Sequence, residues 1–515
     1  MKKSWKIFQK RLFALPRYLS RTEKIVILIL SLIAVASVWI GGKKHTPKGF
    51  ISNFSNTFTE GTTGEIQCLI PILKQNDLEK DISRLLFASL VQFNNKREVV
   101  PDLAEKWEIS PDGKNYTFYL REAHWQDGQD ITADDVVFTF SQIKNEKTQG
   151  PYFDAFAKVK VEKQDQKTIR FILEKPCATF LTSLNIPILP QHSFASNERL
   201  VDSSFTKKPL ASGPFTLDQI EQNKEIITVI LKANQYYFNG KPALDKFIFN
   251  VYPSEEAAVD AFNRGVVDAL FSDKTLQGQS VNIALPNSKM VIFNLEKPYL
   301  TKEVRKALAY AVNRDELLAA NILGAKIYYP ILPGFLGYKE SERYDFNLEK
   351  AKKSLEKTRN KPQKLILQTP STPNDQKIAE ILKTQWEKLG IEIEIAPNSS
   401  DNFDLLLLGI NQKADPDPYP FWHSSQTQNN GLNFAYYGNK QVDKLLEEAR
   451  QTLDPGIRQQ KYEKFIDLFQ DDLPAIFLYQ GLNKYYFSGK IRGIEDVLGV
   501  TRADRFYNIT AWNIK

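Results

Sequence analysis

Between Tyr116 and Leu120 the chain alternates. Tyr116, Phe118 and Leu120 fall on one side and Thr117 and Tyr119 on the other, the period of a half-buried strand. Ser110-Pro111-Asp112-Gly113-Lys114 precedes it as a turn, because proline presets φ and glycine tolerates positive φ. Trp107-Glu108-Ile109 is short enough to be one edge of the hairpin that this turn closes, and Leu103 to Lys106 reads as a short helical piece before it. After a second turn at Gln126-Asp127-Gly128, Thr132 stands three residues before Asp135. Hydroxyl and carboxylate at that spacing can close the N-terminus of a helix carrying Val136, Val137, Phe140 and Ile143.

Further along, helical and strand periods take turns. Ser254 can cap a helix with Glu255 and Glu256 in its first turn, Gly265 can end it in the left-handed region, and Val266 to Leu270 reads as a short strand. Val304, Ala307, Leu308, Ala311 and Val312 give one apolar helical face; Leu348, Ala351 and Leu355 give another. Leu365-Ile366-Leu367 is a buried strand, Ile378, Ile381, Leu382, Trp386 and Leu389 a helical stripe ending at Gly390, and Ile391, Ile393 and Ile395 alternate with glutamates. Together these make a βαβ unit. Phe403 to Leu408 is a further buried strand. Asn439 caps a helix with Val442, Leu445, Leu446 and Ala449 on one face; Tyr462, Phe465, Ile466 and Phe469 stripe the next, and Pro474 to Leu478 is a strand. Alternation of this kind predicts an α/β architecture.

A chain of 515 residues exceeds what one core holds, so two or three packed units are expected. Hydrophobic content of 42% with 12% aromatics is that of a globular protein and not of a disordered one. The formal charge of +7 would suggest nucleic acid, but residues 1–48 hold 11 of the 68 Lys and Arg and one of the 61 acids. The remainder carries 57 cations against 60 acids. The basic excess belongs to the leader, and no nucleic-acid partner is expected.

Ile25 to Gly42 is an uncharged run of 18 residues, at the lower end of what spans a bilayer as a helix. Eight cations precede it within residues 1–24, and Lys43, Lys44 and Lys48 follow. That asymmetry places residues 1–24 in the cytoplasm and the rest outside. Val38-Trp39-Ile40 is bulky where a cleavage site needs small residues, which favours an uncleaved anchor over a cleavable signal peptide. No cysteine follows the run closely, so a lipoprotein anchor is excluded. Residues 43–57 form a polar tether. Cys68 and Cys177, the two cysteines, can pair in an outward-facing domain or be two buried small side chains, and they are too few for a metal site.

The first stretch, with its elements in that order and those residues, resembles the signature of the family 5 extracellular solute-binding proteins, the peptide-binding components of ABC importers. The match lies in Pro101-Asp102-Leu103-Ala104-Glu105, Trp107, Asp112-Gly113, Tyr116 to Arg121, Trp125 with Asp127-Gly128, and Thr132 to Val136. Pro209 to Phe215, Asn234 to Tyr237 with Gly240-Lys241-Pro242, and Ala309 to Asp315 resemble further motifs of that family. The resemblance implies an α/β, two-lobed periplasmic-binding-protein type II fold with an extra subdomain in the first lobe. Lobe I would comprise residues 58–92, 209–292 and 479–515, the inserted subdomain 93–208, and lobe II 293–478. It implies a monomeric receptor and not an enzyme. The receptor would capture peptides by lobe closure, deliver them to ABC permease and ATPase subunits, need no cofactor, and sit on the cell membrane through residues 25–42. The alternatives are an anchored surface hydrolase on the same fold, a receptor for a nickel complex or an oligosaccharide, and a sensory receptor with no transport partner.

Chemistry along the chain is sparse. Its four histidines are His45, His124, His192 and His423, and it has no H-E-x-x-H, no G-x-S-x-G elbow and no phosphate-binding G-x-x-x-x-G-K-[ST] loop. The informative segment runs from Gly409 to His423, after a buried strand, where α/β sheets place ligand-binding loops. Prolines at 416, 418 and 420 stiffen it. It resembles the family's Ala/Gly-Asp-x-x-x-Pro loop, which implies that Asp415 grips a peptide's α-ammonium group. Read without the family, Asp415 is equally a turn residue before proline, and Asp417 is its rival. Tyr419 and Trp422 line a cleft or belong to the core. No cation is assigned to a peptide's carboxylate.

Overall fold

The computed structural model describes residues 56–515, apart from 147, 149, 196–198, 273, 321, 341–342, 398–401 and 429–430. The basic leader, the apolar run of 25–42 and all but the end of the tether lie outside the described residues. Among the described residues no helix is long and apolar enough to cross a membrane.

The chain enters on β1 (Thr57–Thr63) and α1 (Asp77–Leu86), whose N-terminus is closed by reciprocal hydrogen bonds between Asn76 and Glu79. A ribbon of β2 (Val91–Phe93) and β3 (Val99–Pro101) leads to the hairpin of β4 (Ala104–Ile109) and β5 (Asn115–Leu120). The expected helical piece at Leu103 to Lys106 is corrected here: Ala104 opposes Leu120, and Lys106 opposes Tyr119 across a bulge. Four residues cannot repay helix nucleation, whereas β5 offers this segment a partner for its backbone groups. The buried Asp102 accepts the Ser89 N–H at 2.9 Å, which holds the entry to this strand against the approach to β2.

Two more strands, β6 (Lys160–Lys163) and β7 (Thr168–Ile172), complete a four-stranded sheet in the order β4-β5-β7-β6. The sheet is covered by α2 (Ala133–Ile143), closed at Thr132 and Asp135 as expected, with Phe140 edge-on to Phe171 at 4.9 Å. After it the chain returns through the antiparallel strands β8 (Phe215–Asn223), β9 (Ile226–Ala233) and β10 (Lys246–Tyr252). Then come α3 (Glu255–Asn263), capped by Ser254, and β11 (Ala269–Ser272). This strand starts later than the Val266 expected for it, because the Val266 N–H still closes the end of α3 on the Ala261 carbonyl at 2.9 Å. One continuous core, including Phe58, Leu85, Phe118, Phe140, Phe247 and Trp512, runs through this lobe and its inserted sheet.

From β12 (Gln279–Phe293) the chain builds the second lobe with α4 (Lys302–Ala311), β13 (Gly324–Lys326), α5 (Leu348–Glu356), β14 (Lys364–Thr369), α6 (Pro373–Glu387) and β15 (Glu392–Pro397). Next are β16 (Leu405–Asn411), α7 (Lys440–Gln451) and α8 (Pro455–Asp472), and β17 (Ala475–Phe487) leads back. β14 is parallel to β15 and β16, the expected βαβ arrangement. The continuous apolar run of β16 is explained by helices on both faces of the sheet. Leu405 and Leu407 point into one core with Trp386, while Leu406 and Ile410 point into the other with Phe465 and Phe469.

One large sheet crosses the molecule in the order β15-β14-β16-β12-β17-β11-β1-β10-β9-β8. β12 and β17 are the strands shared by both lobes, and their ladder is interrupted between Ala284 and Ser288. There Leu285, Pro286 and Asn287 stand against Gly481, and Pro286 has no N–H to offer a ladder. A Cβ at 481 would fall 2.6 Å from Asn287 Oδ1, so any side chain there would displace the Asn287 amide opposite the bulge. Gln480 Nε2 bridges the gap to the Leu285 carbonyl at 2.8 Å.

Candidate ligand-binding site

β16 delivers the loop of interest directly beside that bulge. Asn411 is in register with Asn287, and the next backbone N–H, that of Gln412, donates to the Pro286 carbonyl at 2.7 Å. The Gln412 amide nitrogen donates to the Pro330 carbonyl. A cavity of about 340 Å³ opens here, lined by Gln412, Lys413, Asp415, Asp417 and Arg450 over an apolar floor that includes Met290 and Trp422. Its size is at the low end for small-molecule sites.

Both aspartates of the loop are paired. Asp415 accepts from two nitrogens of Arg458 on α8, with Nη1 at 2.6 Å from Oδ2. Arg458 Nη2 also reaches the Pro416 carbonyl at 3.3 Å, and the Tyr462 hydroxyl donates to the same carbonyl at 2.6 Å. Side-chain exposures of 5% for Arg458 and 13% for Asp415 take this pair largely out of water. Burial alone would lower the guanidinium's pKa, but the hydrogen bonds and charge of Asp415 leave it raised. Burial pushes the Asp415 carboxyl up, against the pull of Arg458. Asp417 Oδ2 accepts from Nε and Nη2 of Arg450 on α7, at 3.0 and 2.8 Å. The resemblance gave Asp415 a ligand's ammonium group as partner; in the structure its charge is met by Arg458, and that of its rival Asp417 by Arg450.

Aromatic side chains frame the loop. Trp422 is buried edge-on against Phe469 at 4.6 Å, so it belongs to the core while one surface lines the cavity. Tyr419 lies between the Arg450 guanidinium, 4.2 Å from its ring centre, and the ring of His423, stacked at 4.1 Å. The Arg450 carbonyl accepts the Ala178 N–H at 2.8 Å, and Leu453 packs where a Cβ on Gly113 would fall, so the inserted sheet touches α7 and the turn after it next to the site. Cys68 and Cys177 are both free and half-buried.

Sequence reasoning missed Gln412, Arg450 and Arg458 as members of this site. A signal for Arg458 was present: it stands four residues before Tyr462, on the apolar face of its helix, where a guanidinium needs a carboxylate partner. Two buried acceptors, Gln412 Oε1 and Asp417 Oδ1, have no hydrogen-bond partner among the described residues.

Residues 98–433 match the family described as bacterial extracellular solute-binding proteins, family 5 Middle. The dipeptide-binding protein of Escherichia coli (strain K12) is 26% identical over 510 residues, which cover 88% of this chain and 92% of that protein. The oligopeptide-binding protein AppA from Bacillus subtilis, in its structure in complex with a nonapeptide, superposes with a TM-score of 0.68 at 25% identity, covering 89% of this chain and 99% of that one. NikZ from Campylobacter jejuni, in complex with Ni(L-His), gives the same TM-score, identity and coverage. The two lobes, the inserted sheet and the match over most of the chain's length lead to one conclusion: this protein belongs to the family 5 bacterial extracellular solute-binding proteins.

Proposed function

We propose that this protein captures peptides outside the cytoplasmic membrane and hands them to an ABC permease and its ATPase. The observation that carries the reading is the cavity at the carboxyl end of β16, in a chain similar to a dipeptide-binding protein and to AppA in complex with a nonapeptide. Capture proceeds by closure of the two lobes about the β12–β17 bulge, with main-chain hydrogen bonds supplying affinity that tolerates many sequences. Protein purified without added ligand and opened under native mass-spectrometry conditions is expected to release peptides. Release of a non-peptide solute instead, together with no binding to mixed peptide pools, would overturn the reading.

A second reading is a small chelate in the same cavity, favoured by its volume of about 340 Å³ and by the likeness to NikZ. Metal analysis of the purified protein separates the two.

The protein works as a monomer held to the cell membrane by residues 25–42, with residues 1–24 inside. The uncharged run and the cation asymmetry support this. N-terminal sequencing of protein extracted from membranes should then read the leader, and a start beyond Gly42 would refute the anchor.

A further inference from the structure

Arg97 stands in the turn between β2 and β3 with φ +66, a left-handed backbone that a residue with a side chain adopts at a cost. The turn is tied to the first lobe: the Asn95 carbonyl accepts the Leu498 N–H at 2.8 Å, and the Gly499 N–H donates to the Ala284 carbonyl at 3.1 Å. From there the guanidinium reaches the bulge. Its Nη2 donates to the carbonyls of Gly499 at 3.1 Å and Ala284 at 3.4 Å, and Ala284 is the last paired residue before the interruption of the β12–β17 ladder. Phe335, which belongs to the second lobe's core with Met290 and Trp422, lays its ring across the guanidinium, 4.0 Å from ring centre to Cζ. Arg97 is left 6% exposed. Its Nε and Nη1 are buried with no hydrogen-bond partner among the described residues, and the bonds of Nη2 go to carbonyls, not to a carboxylate. Burial lowers its pKa to about 10, which still leaves it charged at neutral pH.

We infer that Arg97 is an opening spring: closure of the lobes strips water from its guanidinium beneath Phe335, and the cost of that burial returns the empty receptor to its open form. The inference rests on the lobe-closure reading above. Its sign follows from what the cation loses and gains when the lobes meet. Closure takes the water from Nε and Nη1, and a charged donor left buried and unpaired costs more than an ordinary hydrogen bond contributes. In return the guanidinium gains one aromatic face, the smaller of the two effects. The bonds of Nη2 go to Ala284 and Gly499 and do not need the second lobe. Beside Phe335 the seam between the lobes is tight, since a Cβ on Gly334 would fall 2.7 Å from Leu498 Cδ1. When the second lobe swings out, Phe335 leaves with it and water returns to the cation. An apolar side chain of similar length at 97 would fill the seam without this loss.

The test measures the separation of the lobes in the absence of ligand. Full-length protein, stripped of bound solute by unfolding in guanidinium chloride and refolding, carries spin labels at Ile220→Cys and Lys357→Cys, one exposed position on each lobe, with Cys68→Ser and Cys177→Ser removing the native thiols. Pulsed electron spin resonance should find the wild type mostly at the longer distance. In Arg97→Met the ratio of closed to open protein should rise by about tenfold or more. Arg97→Gly removes the cation and the strained backbone together, should shift the same way, and serves where methionine is not accommodated; thermal melts check that both variants fold. With a mixed-sequence pentapeptide library as probe, the wild-type distance should shorten, and Arg97→Met should release captured peptide about tenfold more slowly. If the wild type shortens on capture while the variants without ligand match it or open further, the inference is overturned and the closure reading stands. A wild-type distance that is the same with and without captured peptide would remove the closure reading, and this inference with it. The comparison without ligand decides the matter whether or not the library is captured.

Discussion

Arg458 reaches back 43 residues to Asp415, its Nη1 2.6 Å from Oδ2, and the two side chains are largely closed off from solvent by α8 and the proline-rich loop. Such a pair costs desolvation on both sides, so its net worth is small while the cost of breaking it is large. Asp415→Asn should therefore lose about 3 kcal/mol in urea unfolding, because it strands a buried guanidinium. The Asp415→Asn/Arg458→Met double variant should be more stable than the sum of the two single losses predicts. An additive double variant would mean that the two groups do not act as a pair.

The bulge opposite Gly481 is spanned by Gln480 Nε2 on the Leu285 carbonyl. Gln480→Met keeps most of the volume and removes this donor. Amide exchange within residues 285–288 should quicken by about tenfold, the equivalent of about 1.4 kcal/mol, while amides of β14 and β10 stay unchanged. Uniform protection across the variant would show that the bond does not control the bulge.

Gly113 has φ +68 at the tip of the β4–β5 hairpin, and a Cβ there would fall 2.7 Å from Leu453 Cδ1. The leucine end can swing aside, so the larger cost of Gly113→Ala is the left-handed backbone, about 1–2 kcal/mol. Gly113→Asn should cost less, because asparagine tolerates that region better. Thermal melts of the pair decide it: equal losses would place the cost in the contact with Leu453 and not in the backbone.

Glu60 is fully buried, accepting from Arg505 Nη2 and from the Tyr485 hydroxyl, both at 2.6 Å. Burial raises its pKa above the ordinary 4.5, in spite of the opposing pull of Arg505. The folded state thus keeps this proton to higher pH than the unfolded chain does. Stability from this group is present below about pH 4.5 and is lost as pH rises through the folded value. Melts of wild type and Glu60→Gln from pH 4 upwards should show the wild type losing ground to the variant with rising pH. A difference that is flat, or of opposite slope, would contradict the raised pKa.

Local chemistry made much of the fold legible. The alternation from Tyr116 to Leu120 became β5, the Thr132/Asp135 spacing closed α2, and the apolar run before Gly409 became a strand covered on both faces. Each of these depends on neighbours a few residues away, so the chain carries the information at short range. Leu103 to Lys106 misled because a four-residue segment has no period of its own and takes its conformation from the strand it meets. The partners of Asp415 and Asp417 lie 43 and 33 residues further on, on helices α8 and α7. Whether those carboxylates wait for a ligand or are already neutralised depends on where two helices dock and which nitrogens they bring within 3 Å, and only the packed tertiary structure decides that.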